Sequence, residues 1–331
     1  MNPNAIAISL SAIFVTACPL LFAVIGETFA ERSGVINLSV NGTIVLAAMS
    51  GFVAAELTNN LVLGYLMGMV VGGFIALIIA FSSISLHLSQ VAVGYVLYYT
   101  TLDLAYFLGN PYSGLSGPTI PALPIPYLVK IPILGPLLFD ADLLTYLSYL
   151  IFIVAWIYVY RTRPGLVLRG IGERPAAAFA RGANVNKLRY IYVVLGGALA
   201  GLAGPIYSLG VKPGWQGQIS GLDGFGWIVL AITIFGGWNP LRAAFGCYLF
   251  AFLEWLSIQQ IFPPSIPGQV IAVAPFPLMI LTLLFVNISD AEWVSRTLAR
   301  LPERPRRIAV RILRALHAAP PGALGTPFTP E

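Results

Sequence analysis

The chain consists of long apolar runs separated by short polar linkers, and this pattern limits its fold more than any other feature. A transmembrane helix needs about 20 consecutive, mostly apolar residues. The sequence predicts nine such spans, at 5–25, 35–55, 61–80, 88–108, 143–160, 188–209, 224–238, 243–260 and 270–287. The seventh run is short, which predicts a tilted or re-entrant segment, and Pro275 and Pro277 predict a kink in the ninth.

Composition excludes a soluble or disordered protein. Hydrophobic residues make up 58% of the chain and charged residues 9%, whereas a soluble domain carries about 25% charged residues. So much apolar surface fits lipid as the surrounding solvent and does not fit a disordered chain. We therefore predict an all-α fold, a polytopic transmembrane helical bundle of about nine spans without a soluble domain.

The sequence divides into a membrane domain and a tail. The membrane domain covers 1–290 and includes a polar linker at about 161–189, and residues 291–331 form the tail. The tail is basic at first and becomes rich in Pro, Ala and Gly after about residue 315, which predicts disorder there. The Pro-rich stretch 110–136 cannot form a regular helix and predicts an ordered loop, which either receives a binding protein or acts as a spacer.

Lys and Arg residues predict which side of the membrane each linker faces. Sixteen of the 18 lie on one side of the nine-span topology, most of them in 161–189 and in the tail. We therefore place these two segments and the C-terminus in the cytoplasm, and the N-terminus and 109–142 outside, for a multi-pass protein of the plasma (inner) membrane. Because the basic residues flank apolar spans and form no basic face, the sequence predicts lipid, and not nucleic acid, as a partner.

The sequence lacks the motifs of common catalytic and phosphate-binding sites. It contains no G-x-x-x-x-G-K-[ST] loop, no H-E-x-x-H, no G-x-S-x-G and no Cys/His cluster with metal-ligand spacing. We therefore expect no catalytic residue, no metal site and no cofactor, and we do not expect an enzyme. Within the spans, the carboxylates Asp103 and Glu254 are isolated, whereas ion-driven transporters carry relays of such groups. This favours a transporter that is powered from outside the chain.

The linker 161–189 contains a predicted short helix at 173–181. Pro175 and Glu173 suit a first helical turn, and Gly182 suits the C-terminal end. Phe179 is the one aromatic residue of this helix. The pattern fits two structures equally: a helix that docks into a groove of a partner protein, and an amphipathic helix at the membrane interface.

This linker resembles the coupling region of ABC importer permeases, where a Glu-Ala-Ala-type segment contacts the ATPase. Four runs are similar to the sugar, nucleoside and branched-chain amino-acid permease family: 168–178, 182–185, 196–204 and 226–240. The stretch 26–38 is similar to the nucleoside branch, and the resemblance extends over about 20–288. It implies that the ATPase contacts Gly172, Glu173, Arg174, Pro175, Ala177, Phe179, Arg181 and Gly182.

Two positions depart from the nucleoside branch. That branch usually reads Gly-x-Glu-Gly where this chain has Ser39-Val40-Asn41-Gly42, and its relatives often carry Asn where Tyr98 follows Gly94. Both departures fall where a substrate path is expected, so the resemblance identifies the family more sharply than the solute.

Polar residues of two spans are candidates for the translocation path. Asn37 and Asn41 are four residues apart and are predicted to share a helix face, and Tyr95, Tyr99 and Asp103 follow the same spacing. With Gln90 near the inner end of the fourth span, the predicted path residues are Asn37, Asn41, Gln90, Tyr95, Tyr99 and Asp103. The alternatives are hydrogen bonding between helices for the asparagines and an aromatic belt at the outer interface for the tyrosines.

Small residues of the sixth span predict close helix packing. Gly197 and Gly201 form a G-x-x-x-G ridge, and Gly196, Ala200 and Gly204 form a second small face. We expect packing inside the bundle in preference to a dimer seam.

The resemblance implies a permease subunit of an ABC importer that carries a nucleoside or related purine. It implies three protein partners: a cytoplasmic ABC ATPase, a second and paralogous permease subunit, and an extracytoplasmic substrate-binding protein. The alternatives are a simple-sugar ABC permease, an ion-coupled secondary transporter, and a membrane subunit that transports nothing.

Overall fold

The computed structural model describes residues 3–259, 277 and 319–329. These residues form α-helices, short 3₁₀ and π-helical turns and loops, with no strand among them. The α-helices are α1 (Pro3–Arg32), α2 (Val40–Thr58), α3 (Leu61–Ala80), α4 (Gln90–Gly109), α5 (Leu134–Leu138), α6 (Leu143–Arg161), α7 (Arg163–Glu173), α8 (Pro175–Ala180), α9 (Val185–Ile206), α10 (Phe225–Phe235) and α11 (Pro240–Ile258). The prediction of an all-α bundle is confirmed.

Eight helical segments of the described ranges are long and apolar enough to cross a membrane. They correspond in order to the first eight predicted spans, and the predicted ninth span, 270–287, lies outside the described residues. The first span differs from the prediction because α1 continues to Arg32. The stretch 26–34 is therefore mostly helix, and a short turn at 33–39 joins α1 to α2.

The seventh span is broken. Its regular helix, α10, has 11 residues and rises only about 16 Å, which is less than the roughly 30 Å of a hydrocarbon core. A 3₁₀ turn at Gly217–Ser220 and a loop precede it. Irregular backbone at membrane depth occurs where it is buried in protein or lines a water-filled cavity. This span is thus where the fold departs from a simple bundle.

Helix α9 lies at the centre of the bundle and uses both of its small faces for packing. A Cβ at Gly196 would overlap the carbonyl oxygen of Gly26 in α1, and one at Gly204 would overlap the backbone nitrogen of Ala48 in α2. On the other face, Gly197 meets Gly72 of α3 in the same way. The prediction that these glycines serve packing inside the bundle is confirmed, because all three contacts are made within one chain.

The Pro-rich stretch 110–136 is ordered, as predicted, and the short helix α5 begins in it. The Gly114 N–H donates to the carbonyl of Trp215 (2.8 Å), and the Leu123 N–H donates to the carbonyl of Ala141 (3.0 Å). The stretch therefore lies against the loop that precedes α10.

The end of the chain packs back onto the bundle. Residues 319–329 contact α7, α8, α9 and the turn at 33–39. The prediction of disorder after about residue 315 is wrong for these residues. Composition describes how a segment behaves in isolation, and it does not register a binding groove formed by distant parts of the same chain.

Candidate coupling segment and translocation path

The predicted helix at 173–181 is present as part of a helix pair. Thr162 starts the pair, because its hydroxyl accepts the Gly165 N–H (3.1 Å) at the beginning of α7. Arg174, with φ −144° and ψ 79°, interrupts the helix between α7 and α8. Pro175 occupies the first turn of α8, and Gly182 has φ +85°, as expected for the residue that ends it. The prediction is right for the position of α8, whereas Glu173 ends the preceding helix.

Most of the residues predicted to contact an ATPase lie on the surface. Phe179 is 43% exposed although it is aromatic, and two arginines flank it at the ends of α8. The exposed members of the predicted set are Glu173, Arg174, Ala177, Phe179, Arg181 and Gly182, Pro175 is partly buried, and Gly172 is buried. A surface of this kind, small and apolar with basic edges, suits docking of a partner protein.

Gly172 joins the helix pair to the first membrane span. A Cβ at this position would overlap the carbonyl oxygen of Arg32, the last residue of α1. Leu168 and Ile171 of α7 are fully buried beside this contact. Gly172 therefore serves close approach of two backbones, and it presents no surface to a partner in this structure.

Arg32 connects α1 to two further elements. Its Nε donates to the carbonyl of Trp238 (2.6 Å), and its Nη2 donates to the hydroxyl of Tyr160 (2.8 Å). The indole N–H of Trp238 in turn donates to the carboxylate of Glu31. The end of α1 is thus hydrogen-bonded to the end of α6 and to the turn between α10 and α11.

Two buried carboxylates in this region are not among the residues predicted from the sequence. Glu27 is 1% exposed and Glu31 4% exposed, and both lie in α1. They lie beyond the predicted end of the first span at residue 25, in the part of α1 that continues to Arg32, so the predicted intramembrane carboxylates Asp103 and Glu254 are not the full set. The spacing of four residues between two glutamates next to a continuing apolar run is the signal that would have found them.

Asn37 and Asn41 do not share a helix face, because Asn37 precedes the first residue of α2. The Asn37 Oδ1 accepts the backbone N–H (3.1 Å) and the hydroxyl (2.8 Å) of Ser39. Gln90 lies in the first turn of α4, and its Oε1 accepts the N–H of Ile36 (2.8 Å). These two buried amides therefore hold the turn at 33–39 in place.

Asn41 caps the broken span from a neighbouring helix. Its Oδ1 accepts the N–H groups of Gly224 and Gly226 (2.9 Å each), and its Nδ2 donates to the carboxylate of Asp223 (2.8 Å). The first N–H groups of a helix have no partner within the helix, and here the side chain of α2 supplies one for α10. This geometry matches the alternative in which the asparagine hydrogen-bonds between helices.

The remaining predicted path residues lie on an exposed face of α4. Tyr95 is 43% and Tyr99 58% exposed, and Asp103 is exposed one turn further along. The ring centroids of Tyr95 and of Trp227 in α10 lie 6.1 Å apart. A carboxylate in contact with hydrocarbon is costly. This face of α4 is therefore suited to water or to another protein surface and not to lipid.

Comparison with known proteins identifies the chain. Residues 9–286 match the family described as the permease component of the branched-chain amino acid transport system. The chain belongs to this permease family. Three relatives are named as ABC transporter permeases, so the protein is a permease subunit of an ABC importer.

The three relatives differ in the solute that their names state. A relative from Haloferax volcanii, named for glucose, is 36% identical and covers 76% of this chain and 77% of its own. A guanosine permease of Bacillus subtilis is 32% identical and covers 86% and 94%. A nucleoside permease of Lactococcus lactis subsp. cremoris is 30% identical and covers 85% and 92%.

Membership in this family defines the kind of protein, the membrane in which it lies and the kinds of subunit it assembles with. Permeases of this kind are transport proteins and not enzymes, since the ATPase is a separate subunit. The permease is a multi-pass protein of the plasma membrane, and its partners are the other components of an ABC transporter, such as an ATPase and further permease subunits.

Proposed function

We propose that the permease carries a nucleoside or a related purine. The guanosine and nucleoside relatives match over 94% and 92% of their own lengths, against 77% for the glucose relative. The exposed rings of Tyr95, which contacts Trp227, and of Tyr99 offer planar surfaces on which a base can stack. A simple sugar is the second candidate, and the 36% identity to the Haloferax permease supports it.

We propose that the exposed face of α4 lines the translocation path. Tyr95, Tyr99 and Asp103 form this face, and a second, paralogous permease subunit closes the path from the other side. The observation that carries this assignment is the exposed Asp103, because lipid is an unfavourable environment for its carboxylate. An aromatic belt explains the two tyrosines and leaves the aspartate unexplained.

We infer that α8 receives the ATPase on the cytoplasmic side. Its exposed Phe179 lies between the exposed Arg174 and Arg181. The neighbouring basic residues favour a cytoplasmic location by the positive-inside rule. This orientation places the N-terminus and the Pro-rich stretch 110–136 outside, where an extracytoplasmic binding protein delivers the solute.

The contacts form a continuous route from α8 to the proposed path. Gly172 at the end of α7 packs on Arg32, and Arg32 is hydrogen-bonded to Trp238. Trp238 follows α10, and the first turn of α10 carries Trp227 and is held by Asn41. We propose that a displacement of the helix pair by the ATPase is transmitted along these contacts to the aromatic rings of the path; the contacts supply a physical connection, and coupling itself is measured by the uptake of variants.

The coupling role is tested by Phe179→Asp in the complex with its ATPase. We expect ATP-driven uptake of labelled guanosine to fall about tenfold or more, because a carboxylate is unfavourable in an apolar contact. Asn184→Asp is the matched control: it adds the same charge to the same linker and keeps the oxygen that accepts the Lys187 N–H. Uptake that continues without an ATPase, or that follows an ion gradient, would contradict the importer mechanism.

The path assignment is tested by cysteine labelling, since the native Cys18 and Cys247 are both buried. We expect Asp103→Cys to react about tenfold faster than Leu150→Cys with a charged, water-soluble thiol reagent, because the reactive thiolate forms where water reaches it. Leu150 is 57% exposed on an apolar face of α6 and serves as the lipid-facing control. Equal labelling rates would show that α4 faces lipid.

A further inference from the structure

Residues 319–329 form a docked peptide, here termed the C-terminal strap. The Ala323 N–H donates to the carbonyl of Gly172 (2.8 Å), and the Gly325 N–H donates to the carbonyl of Gly34 (3.0 Å). The strap is thereby bonded to the end of α7 and to the turn between α1 and α2.

A buried arginine depends on the strap for its hydrogen bond. Arg189 of α9 is 1% exposed, and its Nη1 donates to the carbonyl of Thr326 (2.9 Å). Its Nε and Nη2 have no hydrogen-bond partner within the described residues. A buried cation that loses its remaining acceptor is strongly destabilised. This hydrogen bond therefore favours the docked position of the strap over Arg189.

The strap also reaches the helix that is proposed to receive the ATPase. The ring centroids of Phe328 and of Phe179 on α8 lie 5.8 Å apart. The Gly322 N–H donates to the carboxylate of Glu173, directly before α8 (3.1 Å). A helix as short as α8, with six residues, is unstable alone, so contacts at both of its ends hold it in place.

We propose that the C-terminal strap is a permanent part of the ATPase-docking surface. Phe328 is partly buried against the bundle and its ring packs on the exposed ring of Phe179, and Arg174 and Arg181 stand exposed at the ends of α8. This surface fits an apolar groove with acidic edges on the ATPase subunit. The inference rests on the proposed coupling role of α8 and adds the strap as a second contributor.

The test is the affinity of the purified ATPase for the detergent-solubilised permease. Deletion of 319–331 is expected to weaken binding about tenfold or more, and Phe328→Ala several-fold, because central aromatic residues carry much of the binding energy of an interface. Phe179 and Phe328 act as one unit. The factor by which the double variant Phe179→Ala/Phe328→Ala weakens binding should therefore be no larger than the product of the factors of the two single variants. Phe245→Ala is the matched control, since this ring is 64% exposed on α11.

The outcomes separate this inference from the proposed function. Binding within about twofold of the full chain after deletion, or tighter binding, overturns the role of the strap, since the strap then contributes nothing to the affinity. If deletion impairs folding, Phe328→Ala decides, because it keeps the backbone hydrogen bonds of the strap. If Phe179→Asp abolishes binding and the strap variants do not, the strap inference alone fails. If the full chain binds no ATPase, the proposed coupling function fails as well.

Discussion

Gly72→Ala is expected to lower the unfolding midpoint and the folded yield of the permease, whereas Gly73→Ala leaves both unchanged. A Cβ at Gly72 would overlap the carbonyl oxygen of Gly197 and lie 2.6 Å from the Cα of Gly201. Both are backbone atoms of α9, so no side-chain rotation relieves the overlap and α3 must move away. We expect a loss of about 3 kcal/mol, at the upper end of the usual cost of overpacking.

Gly73 provides a control on the same helix, one residue away. A Cβ there would lie 3.7 Å from the Cβ of Ala198 and 3.7 Å from the Cγ1 of Val194, which are ordinary van der Waals distances. Alanine also favours helix over glycine by about 1 kcal/mol. Size-exclusion profiles and apparent unfolding midpoints of the two variants check the prediction. Equal profiles would show that α3 and α9 do not pack as closely as described.

Asn41→Asp is expected to disrupt the start of α10, and Asp223→Asn in the same chain is expected to restore it. In Asn41→Asp, one oxygen still accepts from Gly224 and Gly226, but the second faces the carboxylate of Asp223 without a donor between them. Two like charges at hydrogen-bond distance in a partly buried position are strongly unfavourable. With Asp223→Asn added, the amide at position 223 donates to the carboxylate at position 41. The hydrogen bond of the pair is restored, with donor and acceptor exchanged.

The comparison needs four variants measured for folded yield and uptake. Asn41→Leu should be the most severe, because each N–H left without an acceptor costs about 1–3 kcal/mol. Asp223→Asn alone should be mild, because an amide can present its oxygen to the Asn41 Nδ2. A double variant that is no better than Asn41→Asp would show that these two side chains do not interact.

Patterns along the chain predicted much of the architecture. Apolar length predicted the first eight spans, and the short seventh run predicted a span that is not a regular membrane helix. Pro175 and Gly182 predicted the ends of α8, and the glycines of the sixth span predicted a packing surface. These features depend on residues close together in sequence, where helix propensity, capping and hydrophobic run length are local properties.

The partners of these features depend on residues far apart in sequence. The sequence predicts Asn41 as a path residue. Its hydrogen bonds with the N–H groups of Gly224 and Gly226, 183 and 185 positions away, show that it caps α10. Phe328 lies in a segment whose composition predicts disorder, and its contact with Phe179 shows that the segment is bound. Local periodicity predicts which face of a helix is apolar or small. It does not encode which distant surface has the matching shape and hydrogen-bonding groups, and in this permease that match comes only from the packed fold.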